Sequence, residues 1–195
     1  MKTNIILLAA FCIFTLTAQA QIRIGATAGV GSTGVSNDKL EDFLSDNTIG
    51  FYVGPTVEYM INDKFGFDLS ALYSQKGIKF KGEDTHRIGY IEIPLNAKYF
   101  IPLNDNIKVF AGAGPYINFK VTGDKKFDVL ANEVKGQWDT KSFGVGLNFK
   151  GGFEIHKFIQ IGTNYSLGLT DNYKAGNGNY AAKERLWSLY ASVYF

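Results

Sequence analysis

The stretch Arg185-Leu186-Trp187-Ser188-Leu189-Tyr190-Ala191-Ser192-Val193-Tyr194-Phe195 alternates without a break. Trp187, Leu189, Ala191, Val193 and Phe195 share one face, and Ser188, Tyr190, Ser192 and Tyr194 share the other. A period of two is the side-chain period of a strand. The sequence ends on Phe195, an aromatic that belongs to the apolar stripe, which is unusual for a water-soluble domain.

Seven further stripes of the same polarity lie upstream. The first sets Ile22, Ile24, Ala26, Ala28 and Val30 against Arg23, Gly25, Thr27 and Gly29. The others run from about Thr48 to Ile61, Phe65 to Lys76, Gly89 to Ile101, Ile107 to Val121, Ser142 to Ile155 and Ile159 to Thr170. In each, bulky apolar side chains occupy one face while glycines, hydroxyls and charges collect on the other. Between the strands, connections alternate long and short. Asn62 to Lys64, Pro102 to Asn106 and His156-Lys157 are turns, whereas Thr33 to Asn47, Gly77 to Ile88, Thr122 to Asp139 and Asp171 to Glu184 are loops. Leu40, Phe43 and Leu44 keep helical spacing behind Ser36 or Asn37, so a short helix is expected in the first loop.

This rhythm is that of an all-β fold, an eight-stranded antiparallel up-and-down transmembrane β-barrel with short periplasmic turns and long extracellular loops. A soluble ligand-binding barrel would show the reverse polarity, apolar inside and polar outside. An outer face this apolar would be a patch far larger than soluble proteins tolerate. Outward aromatics fall near strand ends. Tyr59, Phe65, Tyr99, Phe153 and Phe195 are placed at the periplasmic girdle, and Tyr73, Phe119, Phe143 and Trp187 at the outer one.

Residues 1 to 20 read as a cleaved secretory signal, with Lys2 as the positive end, Ile5 to Leu16 as the apolar core and Ala18-Gln19-Ala20 as the cleavage motif. Cleavage is expected before Gln21, leaving 21 to 195 as one barrel domain in the cell outer membrane of a Gram-negative bacterium. Cys12 would leave with the signal, so no disulfide or thiol chemistry is expected afterwards. Twenty basic against 18 acidic side chains give no electrostatic case for nucleic acid. Aromatics at 15% and 22 glycines against four prolines fit an all-β chain.

The interior of an eight-stranded barrel is narrow enough for side chains to fill, which argues against a wide pore. Arg23, Glu58, Asp68, Glu92, Lys98, Lys108, Lys120, Lys150 and Glu154 fall on the inward face. A turn centred on Asp63 places Glu58 opposite Asp68, and like charges at such a pair need cations beside them. Arg23 and Lys98 stand at similar depth, so a network of Arg23, Glu58, Asp68 and Lys98 is expected to bridge four strands. A salt-bridge lattice that fixes the barrel outranks a proton relay here.

Catalytic and cofactor motifs are absent. A rim hydrolase would need His, Ser and a carboxylate together. His86 and His156 fall at opposite ends, and His86 beside Asp84 and Thr85 reads as an exposed loop residue. Asp38, Glu41, Asp42 and Asp46 lack the spacing of a calcium loop. Gly112-x-Gly114 and Gly144-x-Gly146 lie within strands and open no helix, so no nucleotide or other cofactor is expected.

Ile91-Glu92-Ile93-Pro94-Leu95, followed by Lys98-Tyr99, together with Gly54-Pro55 and Gly114-Pro115, resembles the outer-membrane β-barrel domain family of Bacteroidetes, which includes PorT-like and porin-labelled proteins. The end of the chain, Trp187 to Phe195, likewise resembles the carboxyl-terminal signal that barrel-assembly machinery reads. The resemblance implies a barrel fold with outer-membrane lipid as surroundings; PorT itself is tied to type IX secretion, and this sequence carries no PorT-specific feature. Two functions remain open: a non-enzymatic surface barrel whose loops meet an extracellular or secretion-system protein, and a narrow channel for small solutes or ions. A lipid-modifying enzyme ranks below both.

Overall fold

In the computed structural model, residues 21–36, 48–78, 86–123, 126–129, 136–175 and 181–195 are described. The expected signal segment, the helix around Leu40 and the acidic set from Asp38 to Asp46 lie outside them. The strands in chain order are β1 (Gln21–Ser36), β2 (Thr48–Asn62), β3 (Phe65–Ser70), β4 (Leu72–Ile78), β5 (His86–Pro102), β6 (Ile107–Thr122), β7 (Lys126–Val129), β8 (Gly136–Thr140), β9 (Phe143–Ile155), β10 (Ile159–Ala175) and β11 (Ala181–Tyr194).

Every pairing is antiparallel, and each main strand pairs with its sequence neighbours. β3 and β4 are two halves of one stave. They are interrupted at Ala71, whose N–H still donates to Pro55 O at 3.0 Å, and both halves pair with β2 and with β5. With β7 and β8 set aside as a lateral hairpin, eight staves remain. β1 pairs β11 from Gly25↔Tyr194 to Ser36↔Lys183, which closes the sheet on itself. The expected contact of β11 with Gln21 to Val30 is thus shifted toward the loop end. Closure removes the two free edges that an open sheet would present to lipid, where unpaired backbone groups cost several kcal/mol each (roughly).

The short turns have local causes. Asn62 Oδ1 accepts the N–H groups of Lys64 and Phe65, both at 2.9 Å. Asn104 Oδ1 does the same for Asn106 at 2.9 Å and Ile107 at 2.8 Å. These are side-chain turns of the Asx kind. His156 and Lys157 take φ of 51° and 63°, the left-handed pair that a two-residue hairpin needs to match strand twist.

At the other end strands run further than the alternation suggested. β1 continues to Ser36, β10 reaches Ala175 and β11 begins at Ala181, so the loops expected from Thr33 and over Asp171 to Glu184 are shorter. His86 is not in a loop but opens β5, opposite Ile78. The expected loop Thr122 to Asp139 contains the β7–β8 hairpin, and β8 adds to the end of β10 through Tyr173↔Thr140, Lys174↔Asp139 and Ala175↔Trp138. Backbone groups that leave the membrane are satisfied by continuing the ladder rather than by water alone.

The outer wall carries the apolar side chains. Trp187 is 51% exposed, Leu189 55%, Val193 43% and Phe195 85%, and Ala191 shares their face. Among the described residues no helix is long and apolar enough to cross a membrane. The interior is more apolar than a strict polar-in pattern predicts, for Phe100, Phe110, Met60, Leu72 and Leu186 are buried within it. Two glycines make room for inward rings. A Cβ on Gly29 would fall on the ring of Tyr52, its cross-strand partner, and one on Gly146 on the ring of Tyr116.

Candidate functional site

Inward-facing charges form two clusters on the barrel axis. The one nearer the short turns is centred on Lys98 of β5. Its Nζ donates to Glu58 Oε1 at 2.7 Å and Gln160 Oε1 at 2.8 Å, and it lies 2.8 Å from Asp68 Oδ2. Three acceptors meet three ammonium protons, so burial leaves the cation fully paired. The ring of Phe110 covers it at 5.1 Å.

Glu58 and Asp68 are directly opposed across the β2–β3 hairpin. Asp68 is held from three sides: Lys150 Nζ donates to Oδ2 at 2.9 Å, Asn96 Nδ2 donates to Oδ1 at 2.9 Å, and Lys98 supplies the third contact. Arg23 of β1 bridges Glu58 and Glu154, the latter at 2.8 Å, and donates to Lys157 O at 2.8 Å. Gln160 Nε2 donates to Glu154 Oε2 at 2.9 Å, and Lys108 Nζ lies 3.9 Å from Glu154 Oε1. Buried ions survive only when partners replace the water they lost, and each carboxylate here has at least two.

A second cluster lies nearer the loop end. Lys76 of β4 pairs with Glu92 of β5 and, at 3.0 Å, with Glu184 of β11. The rings of Tyr90 and Tyr116 each stand 5.8 Å from its Nζ. Between the clusters is a polar cavity of about 20 Å³, lined in part by Thr27, Tyr52, Glu92, Asn148, Lys150 and Asn164. That volume is room for about one water.

The first cluster holds Arg23, Lys98, Lys108 and Lys150 against Glu58, Asp68 and Glu154, one cation in excess. Among the described ion pairs, the second sets one cation, Lys76, against two carboxylates, Glu92 and Glu184. Lys150 and Glu92 both line the cavity that separates them, so the two imbalances compensate along the axis.

The structure therefore brings Arg23, Glu58, Asp68, Lys98, Lys150 and Glu154 together. Glu92, expected in the same network, belongs instead to the second cluster, because β5 carries it a further six residues toward the loops from Lys98. Gln160 and Asn96 are central but uncharged, and a search for ion partners passes over them. Lys76 and Glu184 were legible in principle, since Lys76 keeps the parity of Ser74 and Glu184 that of Leu186 and Ser188. His156 occupies the short turn between β9 and β10, and His86 begins β5 at the opposite end.

What the arrangement does chemically is pair buried charges with one another. Phe100 and Phe110, with ring centroids 5.5 Å apart, fill the bore beside Lys98. Among the described residues no group of His, Cys, Asp and Glu is arranged to hold a metal.

Comparison with known proteins places this barrel. The structure superposes on Ail, the attachment invasion locus protein of Yersinia pestis, with a TM-score of 0.51 and 16% identity over 90% of this chain and 99% of that one. Neisserial surface protein A gives 0.48 and 15% over 90% and 99%, and the outer membrane enzyme PagL 0.49 and 13% over 87% and 98%. At such identities the likeness is one of fold. No curated protein matches the sequence. Residues 17–174 match the family model described as outer membrane protein beta-barrel domain, and this chain, a closed barrel with an apolar outer wall and a salt-bridged bore, belongs to that family.

Proposed function

We propose that this barrel is a non-enzymatic, PorT-like surface protein of a Bacteroidetes outer membrane whose loop-end strands engage another protein, outside the cell or in the secretion apparatus. On this reading residues 1 to 20 are removed before Gln21, and the assembly machinery recognises β11. The observation that carries it is the division of the molecule into a plugged bore and an elaborated outer end. Interior charges are consumed by one another, whereas β7 and β8 form an extra hairpin added to the edge of β10. Recognition surfaces are commonly loops held by a rigid scaffold. A photo-crosslinking residue at Trp138, used in intact cells, should capture one discrete protein partner. Capture of lipid alone, or of nothing, would count against the reading.

A second reading, a narrow conduit for small ions, draws on the compensating imbalance across the cavity. Lys150 and Glu92 face the same space, and a small shift of Lys150 away from Asp68 would link the two polar clusters. Planar-bilayer recording separates the two readings: a stable conductance that Lys98→Met or Glu92→Gln changes would favour the conduit.

A further inference from the structure

The outward row of β1 loses bulk toward the loop end: Val30, Ser32, Gly34. Its neighbours on β11 are Leu189, Trp187 and Arg185, and on β2 Phe51 and Ile49 stand beside Val30 and Ser32. β1 is therefore the floor of a trough between two ridges. Nearer the middle of the wall the floor is Ala28, flanked by Ala191 and Val53, and here the groove measures about 500 Å³.

At its outer end the trough meets charge. Arg185 is exposed, and its cross-strand neighbours, Gly34 and Leu167, carry none. Lys183, two residues further out, is exposed as well. The carboxylates among the described side chains of β1, β2 and β11 are Glu58 and Glu184, both buried in the bore, while on β10 Asp171 stands opposite Lys183, so Arg185 is the cation of the trough with no carboxylate across from it. Trp187 lies on the outer wall two residues after Arg185 and nearer the middle of the wall, and tryptophan marks the membrane–water boundary. Two residues of strand add about 7 Å, which raises the guanidinium to headgroup level. From Gly34 down to Ala28 the floor runs about 20 Å, roughly the reach of one fatty acyl chain.

We propose that this trough is a binding site for a phosphorylated glycolipid of the outer leaflet, with one acyl chain lying along Ala28 to Ser32 and a phosphate held by Arg185. Apolar area and a guanidinium fork are what an amphiphile with a phosphate headgroup requires, since the fork matches phosphate oxygens bidentately. A second copy of the barrel fits less well. Two convex walls touch along a line, and a two-fold contact would need a ridge to fill each trough.

The test uses the full mature chain refolded in zwitterionic detergent, with bound lipid counted by native mass spectrometry after addition of bisphosphorylated lipid A. One lipid A per barrel is expected. Arg185→Gln should lower the bound fraction at least about tenfold, and Ala28→Leu, which fills the floor from the lipid side, should do the same. The heat-modified gel mobility that reports a folded barrel should stay unchanged in both. Lipid A stripped of its phosphates should bind poorly. Equal retention by wild type and Arg185→Gln, equal binding of the dephosphorylated lipid, or a dimer mass in place of a lipid adduct would each overturn the proposal. If Ala28→Leu does not fold, the exposed Arg185 substitution decides alone.

Discussion

The carboxylates of Glu58 and Asp68 face each other across the β2–β3 hairpin, with the Nζ of Lys98 2.7 Å from the first and 2.8 Å from the second. Two like charges at a cross-strand pair repel. The ammonium between them turns a liability into a clasp across three staves. Replacement by Lys98→Met leaves both carboxylates short of a partner, and loss of one member of a buried ion cluster costs about 3–5 kcal/mol. Urea unfolding in lipid vesicles should show that loss. Combining Lys98→Met with Glu58→Gln, which leaves Arg23 on Glu154 and Lys150 on Asp68, should recover a large part of it, because the charge left behind, not the missing contact, carries most of the penalty.

A different kind of dependence is predicted at Gly29. The Tyr52 ring occupies the space a Cβ would need, and its hydroxyl reaches Ser188 Oγ at 3.2 Å. Gly29→Val should destabilise by about 1–3 kcal/mol through overpacking. Tyr52→Ala in the same chain should relieve that added cost, so a double-mutant cycle reads the contact directly. Additivity of the two changes would show that the ring does not need the glycine.

Phe100 and Phe110 predict a coupled effect. Truncating a buried Phe costs about 3–5 kcal/mol, and here the space created lies in the bore. Phe100→Ala with Phe110→Ala should lower stability and raise ion leakage through planar bilayers above the wild-type level. Destabilisation without leakage would mean that the salt-bridged cluster seals the barrel unaided.

For the hairpin the expectation is the opposite. β8 touches the barrel through three pairs at the far end of β10. Replacing residues 126 to 140 by a short Gly-Ser linker should leave the unfolding midpoint in urea unchanged within error while abolishing co-purification of the partner that the intact barrel captures through Trp138. A large fall in stability would make β7 and β8 part of the scaffold instead.

Much of this was legible from parity. Arg23, Glu58, Asp68 and Lys98 could be placed on one face and at one depth because a two-residue period and a short Asn62 to Lys64 turn leave little freedom of register. Parity says nothing about which inward neighbours are amides, so Gln160 and Asn96 stayed hidden although they satisfy the same carboxylates. Phe100 and Phe110 break the polar-in rule because a narrow bore needs volume as well as charge. Glu184 and the β7–β8 hairpin were obscured by glycine, asparagine and charged residues. These are turn formers inside a membrane but are tolerated in strands that stand in water.

The cluster around Lys98 draws Arg23 from β1, Glu58 from β2, Asp68 from β3, Lys150 and Glu154 from β9 and Gln160 from β10. The two ends of the chain meet above it, where Thr27 Oγ1 and Ser192 Oγ, 165 residues apart, stand 2.7 Å from each other. Contacts of such separation form late. Until they form, a half-wound sheet would expose carboxylates and ammonium groups on a concave side open to hydrocarbon. The clasp of Glu58, Asp68 and Lys98 can form within β2, β3 and β5, but Arg23 with Glu154 and Lys76 with Glu184 join strands that meet only in the finished cylinder. Completion of the charge lattice is therefore coupled to the meeting of the first strand with the last.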